Sequence, residues 1–424
     1  MTVVLMLLAI AVLLFLRVPV AFAFLGPGLG YLLLTGHSGG LAMRLVAEST
    51  ASFPLLAIPL FILLGTLAGH AGIADRLFDF ALALMGKVRG GLGYVSIGVS
   101  LGFSWMSGSA VADAAALGKV QVPQMEKHGY SRRFSVGVVG SSALIAPVMP
   151  PSIPAVIFAG LGAVSTGALF AASVLPALLM AVCLAVVVFI WVRRQPDITD
   201  VGFSWEQVLR TGRAVLLPLF APVIILGGIL GGFFTPTEAA AVGSLYMLIL
   251  GFAYRRLRLR DLPRIFVETV MTTAAIMLIV ASAALVGYVF ARERVPQELA
   301  SIMLTVTEDP TLFLVLVALL MLVLGTVVDA VAVLVLTVPM LMPIATEIGV
   351  DPIVLGVLMV LSLMIGLLTP PVGTVLYVLS STLKIPVGDV FRGAAPFLIP
   401  MVIICLVIIL FPGFVLWLPE LLGL

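Results

Sequence analysis

The sequence predicts an all-α polytopic membrane protein made of two inverted-topology repeats, each with a re-entrant hairpin and a broken helix. Three observations predict it. The chain is 62% apolar and only 10% charged, with a mean hydropathy of +1.29, a composition no water-facing surface can carry. Two proline pairs, Pro150-Pro151 and Pro370-Pro371, interrupt apolar stretches at a displacement of 220, from position 150 to position 370. At that displacement Pro123 falls on Pro343, Gly129 on Gly349, Ser142 on Ser362, Ile145 on Ile365, Pro176 on Pro396 and Leu178 on Leu398, without a gap. Finally, two long apolar segments turn polar or small at their centres, where a spanning helix should be most apolar. Matched interrupted segments in two halves of a membrane protein point to a transport site between the repeats.

The same composition narrows the function. A spanning helix takes roughly 20 apolar residues, so the chain holds on the order of a dozen membrane segments and no sizeable soluble domain. The net charge of +2 is small for 424 residues, and no basic cluster interleaves with aromatics, which excludes nucleic acid as a partner. Cys183 and Cys405 stand in apolar runs, with neither a disulfide framework nor metal-ligand spacing, and read as packing residues. His37, His70 and His128 are isolated. No His-Glu-x-x-His, phosphate-binding Gly-x-x-x-x-Gly-Lys or Gly-x-Ser-x-Gly motif occurs, so a zinc protease, an ATP-driven pump and a serine hydrolase are unsupported and no enzyme is expected.

In chain order, apolar segments run over roughly 2–34, 53–72, 92–119, 134–163, 168–192, 214–232, 236–253, 269–290, 311–344, 352–382 and 395–418, each judged against the length a bilayer demands. The run from Val3 to Leu16 leads to Ala21-Phe22-Ala23, as in a signal peptide. It lacks a basic start, and Arg17 and Pro19 fall where a cleavage region should be neutral, so it reads as the first membrane helix. Residues 1–194 form the first repeat, 195–213 a cytoplasmic connecting segment and 214–424 the second repeat. From Arg76 to Arg89, charge alternates with Leu77, Phe78, Phe80, Leu82 and Leu84, as in an interfacial amphipathic helix or an ordinary helix end.

The segment at about 92–120 starts after Lys87 and Arg89 and ends before Lys127, Arg132 and Arg133. Basic residues mark cytoplasmic loops, so both of its ends lie on one face. Its centre reads Met106-Ser107-Gly108-Ser109-Ala110, which predicts a hairpin that turns inside the membrane, followed by a broken helix at about 134–163. The counterpart at about 311–343 centres on Gly325-Thr326 and is flanked by Glu308, Asp309, Glu347 and Asp351. It lacks the basic flanks and so enters from the opposite face, ahead of a second broken helix at about 352–382.

Irregular backbone at membrane depth is tolerated only where it is buried in protein or lines a cavity. Pro150 and Pro151 lack amide donors and free carbonyls one turn earlier, at about Ala146 and Pro147. Such oxygens are hard ligands suited to a small cation such as sodium, while half-helix N-termini can face an anionic substrate. Around the second break, Gly366, Thr369, Gly373 and Thr374 set small or hydroxyl groups beside Pro370 and Pro371. Asp113 and Asp329 each follow a hairpin tip, and an ionisable group within a membrane segment is by default functional. For both, a ligand role stands beside a helix-cap role, the cap suiting Asp113 in particular. Thr235-Pro236-Thr237-Glu238 reads as a helix start.

The run from Ser107 through Asp113 to Gly118, with Pro123-Gln124-Met125, Gly129-Tyr130, Ala146-Pro147 and Pro150-Pro151-Ser152-Ile153-Pro154, resembles the large membrane (permease) subunit of tripartite ATP-independent periplasmic (TRAP) transporters, the DctM-like family. So do Phe234 to Ala239, Gly325-Thr326, Asp329, Pro339, Pro343, Thr369 to Gly373 and Arg392-Gly393. The resemblance implies an elevator-type transporter of the ion-transporter superfamily in the bacterial inner membrane, importing a small organic acid, mostly carboxylates, with sodium as the coupling ion and no other cofactor. It implies two partners, a periplasmic substrate-binding protein and a small four-helix membrane subunit, the latter expected as a separate chain. It also implies one sodium site from Ser107, Ser109 and Ala110 with carbonyls near Ala146, Met149 and Pro151, and a second from Gly325, Thr326, Gly366 and Thr369. Substrate is expected near Ser109, Asp329 and Pro154. The rival expectations are a stand-alone organic-anion/sodium symporter of a related fold and a non-transporting scaffold or channel; a scaffold would not need the duplicated breaks.

Overall fold

The computed structural model describes residues 2–16, 18–194, 202–306 and 308–424. The described residues form helices and no strands. Up to residue 194 these are α1 (Thr2–Phe15), α2 (Val20–Leu34), α3 (Gly39–Thr50), α4 (Ala57–His70), α5 (Ile73–Met85), α6 (Gly91–Ser107), α7 (Ala110–Lys127), α8 (Arg132–Ala143), α9 (Ile153–Gly162) and α10 (Thr166–Val192). There follow α11 (Trp205–Leu230), α12 (Pro236–Ala253), α13 (Leu262–Arg292), α14 (Val295–Val306) and α15 (Pro310–Gly325). The chain ends with α16 (Ala330–Ile348), α17 (Pro352–Leu367), α18 (Thr374–Leu383), α19 (Val387–Leu410) and α20 (Gly413–Leu422). Among the described residues, 7 helices are long and apolar enough to cross a membrane.

The run from Val3 to Leu16, expected as the first membrane helix, is α1, and Pro19 is extended ahead of α2 (φ −54°, ψ 136°). A proline there has no amide with which to continue α1. Residues 205–213, expected in the connecting segment, already belong to α11, because Ser204 Oγ accepts the Gln207 amide at 3.4 Å and Glu206 favours the positive helix end. Arg17 and residues 195–201 lie outside the described residues.

Side-chain caps start many of the helices. Ser109, Ser131, Ser152, Ser165 and Ser204 accept a backbone amide of the following helix, and Asp309, Asp329 and Asp351 do the same later in the chain. Thr235 and Glu238 form the expected capping box, with the Thr235 amide donating to Glu238 at 2.8 Å and the Glu238 amide to Thr235 Oγ1 at 3.3 Å. Each such cap contributes about 1 kcal/mol.

The helices pack in two sets. Within one, α4 lies on α12, α2 and α3 on α13, and α11 on α5 and α12. Within the other, α15 lies on α17, α8 on α7 and α19, α18 on α7, and α9 on α16. They meet where α6 touches α4 and α5, and where α16 touches α13 and α14. Buried residues form one continuous core across both. Helix α5 buries Ile73, Leu77, Phe78 and Ala83 against α6 and α11, leaving Asp75 and Asp79 exposed. On α10, Val182, Val186, Phe189 and Ile190 are exposed, as are Leu216, Phe220 and Val223 on α11 and Ile399, Ile403, Leu406 and Leu410 on α19. Apolar stripes recurring every three to four residues on the outside fit contact with lipid tails rather than water. The chain is a multi-pass membrane protein.

Candidate transport site

Between α6 and α7, the chain turns at Gly108 (φ +59°). A Cβ at this position would stand 2.9 Å from the Pro151 carbonyl oxygen, so glycine supplies both the left-handed backbone and the close approach of the tip to the first break. Ser109 is extended (φ −133°, ψ 114°), and its hydroxyl caps α7 through the Ala112 amide at 3.4 Å. The cap is therefore Ser109, not Asp113. Asp113 sits one turn further on and is fully buried. Ser107 Oγ faces its carboxyl, yet no hydrogen bond of ordinary geometry joins them. Both Asp113 oxygens and Ser107 Oγ are buried without a partner among the described residues.

The first break, residues 144–152, is buried throughout. The Ile145 carbonyl accepts the Val148 and Met149 amides at 3.0 and 2.8 Å. The expectation that Pro147 presents a free carbonyl is overturned: the Ser152 hydroxyl donates to it. A hydroxyl two residues before a proline at the next helix start thus replaces the amide that the proline pair removes. The carbonyls of Ala146, Met149, Pro150 and Pro151 accept no hydrogen bond from the described residues. Ala110 opens α7, buried beside the tip. Pro154 lies buried in the first turn of α9, and Ile153 rather than Pro154 borders the cavity described below.

The second tip and break are tied together directly. The Thr326 carbonyl accepts the amides of Val372 and Gly373 at 3.0 and 2.8 Å, and Gly373 is left-handed (φ +50°). The Thr326 and Thr369 hydroxyls each donate to their own helix, to Val323 and Ile365, both at 2.7 Å, leaving their lone pairs available. The Gly366 carbonyl accepts the Thr369 amide at 2.9 Å. Gly325 and Gly366 bring α15 and α17 together backbone to backbone. Unlike the first break, this one exposes its prolines, Pro370 and Pro371; both proline pairs hold a cis peptide. Asp329 caps α16, with Oδ1 accepting the Val331 amide at 3.0 Å.

A cavity of about 570 Å³ begins at Ser107 and Ser109 and runs past Lys119 of α7, between Thr66 and His70 of α4 and Glu268 and Thr272 of α13. His70 and Glu268 stand 3.8 Å apart across it. They lie at the ends of α4 and α13 nearest Arg76 and the arginine-rich 255–264 stretch, so the cavity leads from the first tip towards the basic face. None of Gly325, Thr326, Asp329, Gly366 or Thr369 lines it. Lys119, His70, Glu268 and Thr272 were not anticipated. Their signal was present as polar residues recurring at helical spacing near the ends of apolar segments, a pattern that also describes ordinary helix ends.

The family description "Tripartite ATP-independent periplasmic transporter, DctM component" matches residues 7–414. The chain belongs to this TRAP transporter family. It is 42% identical over 411 residues to the sialic acid TRAP transporter large permease protein SiaM of Vibrio cholerae, covering 96% of each chain. It is 38% identical over 384 residues to the C4-dicarboxylate TRAP transporter large permease protein DctM of Pseudomonas aeruginosa, covering 90% of each. The crystal structure of the Alcanivorax borkumensis YdaH transporter, described as having an unusual topology, superposes with a TM-score of 0.59 at 12% identity over 87% of both chains. That likeness is one of fold. The TRAP large permeases align along nearly the whole chain, including both tips and both breaks.

Proposed function

We propose that the chain is the translocating subunit of a sodium-coupled importer in a bacterial inner membrane. It takes a small organic acid from a periplasmic binding protein, in complex with a small four-helix membrane subunit. The observation that carries the sodium reading is the set of buried oxygens without donors at the first tip and break: Ser107 Oγ, the Asp113 carboxyl and the carbonyls of Ala146, Met149 and Pro151. Buried polar groups of this kind are nearly always satisfied by protein, water or an ion, and a cluster made of oxygens alone suits a hard cation. Ser107, Ser109, Ala110, Ala146, Met149 and Pro151 form the first proposed sodium site, and Gly325, Thr326, Gly366 and Thr369 the second.

The substrate reading rests on charge and on the relatives. Sialic acid and C4-dicarboxylates, the compounds named for two relatives, are carboxylates. Lys119 provides a cation for such a group in the cavity that leaves Ser109, and Asp329 suits hydroxyls or a neighbouring sodium rather than the carboxylate itself. Two inverted repeats are supported by structural recurrence at the displacement of 220: the caps Ser109 and Asp329, the caps Ser131 and Asp351, and the left-handed Gly129 and Gly349, both at φ +85°. An elevator motion is supported by the packing. The tips and breaks all belong to one helix set, which packs on the other chiefly through α6 against α4 and α5 and through α16 against α13 and α14, and which can shift as a unit while the site stays assembled.

Reconstitution tests the proposal. Proteoliposomes with the chain, the small subunit and the binding protein should accumulate a carboxylate only under an inward sodium gradient. Full uptake by the chain alone would refute the tripartite reading, and equal uptake with potassium replacing sodium would refute the coupling ion.

A further inference from the structure

A second cavity, of about 510 Å³, lies between the start of α8, the end of α10 and the first turns of α19. It belongs to neither tip nor break. Three arginines rim it: Arg133, Arg194 and Arg392. One carboxylate answers them, since Asp389 Oδ1 stands 2.7 Å from Arg133 and 3.7 Å from Arg392. The Arg194 side chain meets no acceptor among the described residues, which leaves an excess of two positive charges. The inner wall is apolar, formed by Val187, Ile190 and Pro396, and Ile190 continues the exposed, lipid-facing stripe of α10.

The depth of this cavity is set by its aromatic floor. Trp191 stacks on Phe134 with ring centroids 3.5 Å apart, and on Tyr130 at 6.0 Å. Trp and Tyr concentrate where hydrocarbon gives way to headgroups. The helix ends involved carry Lys127, Arg132, Arg133, Arg193 and Arg194, the excess that marks the cytoplasmic leaflet. A pocket with arginines at headgroup level and an apolar wall open to the acyl chains is complementary to one class of molecule. We infer that this cavity binds the phosphodiester headgroup of an anionic phospholipid of the cytoplasmic leaflet, with Arg194 and Arg392 on the phosphate and an acyl chain against Val187 and Ile190. Arg133 stays with Asp389 and holds the first turn of α19 to the start of α8, so an occupied site ties together three helices of the set that carries the tips. Guanidinium groups suit phosphate oxygens because their paired donors match them in plane, and basic pockets between membrane helices on this side select anionic headgroups.

Native mass spectrometry of the full chain, delipidated in detergent and titrated with phosphatidylglycerol or phosphatidylcholine of the same acyl chains, tests this. Phosphatidylglycerol should bind in preference, and R194Q/R392Q should weaken it roughly thirtyfold, at about 1 kcal/mol per lost arginine contact near a headgroup. Val187→Trp, which fills the apolar wall and keeps every charge, should lose the same adduct. Arg194→Gln, which breaks no side-chain hydrogen bond or ion pair among the described residues, should alone weaken the adduct without lowering the lipid-free thermal midpoint. Equal retention of both lipids in all variants would overturn the inference. So would displacement of phosphatidylglycerol by inorganic phosphate, which would assign the arginines to a free anion.

Discussion

At the second break, α15 and α17 approach so closely that a single methyl group tests the geometry. In Gly366→Ala the new Cβ would stand 2.6 Å from the Leu322 carbonyl oxygen and 2.7 Å from Gly325 Cα, where favourable carbon contacts begin at roughly 3.5 Å. The opposing atoms are backbone, so no rotamer change relieves the clash, and the end of α15 must retreat by about 0.8 Å to reach that distance. Such overpacking costs about 1–3 kcal/mol, and alanine's better helix propensity returns about 1 kcal/mol. The net expectation is a loss of up to about 2 kcal/mol. The retreat also pulls the Thr326 carbonyl from the amides of Val372 and Gly373, now at 3.0 and 2.8 Å, and so distorts the second proposed sodium site. Gly227→Ala in α11 is the control, because a Cβ there meets nothing within 4 Å and only the propensity gain remains. Thermal unfolding in detergent should place Gly366→Ala below wild type and Gly227→Ala at or above it. Sodium-driven uptake should fall at least tenfold in Gly366→Ala at temperatures where the protein is folded. A Gly366→Ala protein as stable as Gly227→Ala, with normal uptake, would refute the packing argument.

Asp329→Asn keeps an acceptor for the Val331 amide while removing the charge, so the thermal midpoint should hardly move while uptake drops at least tenfold; unchanged uptake would strip the charge of its role. Ser107→Ala with Ser109→Ala should abolish sodium-dependent uptake, and Ser107→Ala alone should raise the half-saturating sodium concentration more than Thr369→Val does, as read from uptake against sodium. Thr235→Ala breaks the capping box at the start of α12 and should cost about 1 kcal/mol of stability, with uptake per folded molecule unchanged.

Much of the site's placement was legible because it rests on local backbone chemistry. The proline pairs mark both breaks, and Ser107 to Ala110 and Gly325 to Thr326 mark the ends of α6 and α15 within a residue or two. What escaped depends on contacts distant in sequence. The partner of the Pro147 carbonyl is Ser152, a side chain that no counting of missing amides reveals. The cavity wall is shared by α4 and α13, whose His70 and Glu268 lie far apart in the chain. The two aspartates misled for a different reason. Both follow a tip, which invites pairing Asp113 with Asp329, yet the displacement of 220 carries Asp329 back to Ser109.

That register changes how the two halves compare. The same cap position holds a neutral hydroxyl in the first half and a carboxylate in the second, and the next cap, Ser131 against Asp351, repeats the exchange. The first half has its carboxylate elsewhere, at Asp113, sealed beneath the tip and beside Ser107. Its break is buried, and the Ala146, Met149, Pro150 and Pro151 carbonyls accept no hydrogen bond from the described residues, whereas the second break has already committed Thr326 to two amides and Gly366 to one. An ion at the second site must use lone pairs left over from those bonds, while an ion at the first meets carbonyl oxygens with no donor among the described residues and the buried Asp113 carboxyl. Since an unsatisfied buried acceptor forfeits about 1–3 kcal/mol, the first site has more to gain from a cation. On that argument the two proposed sodium sites are unequal, and the stronger one lies where the cavity begins, so its occupancy bears directly on the tip the substrate must pass.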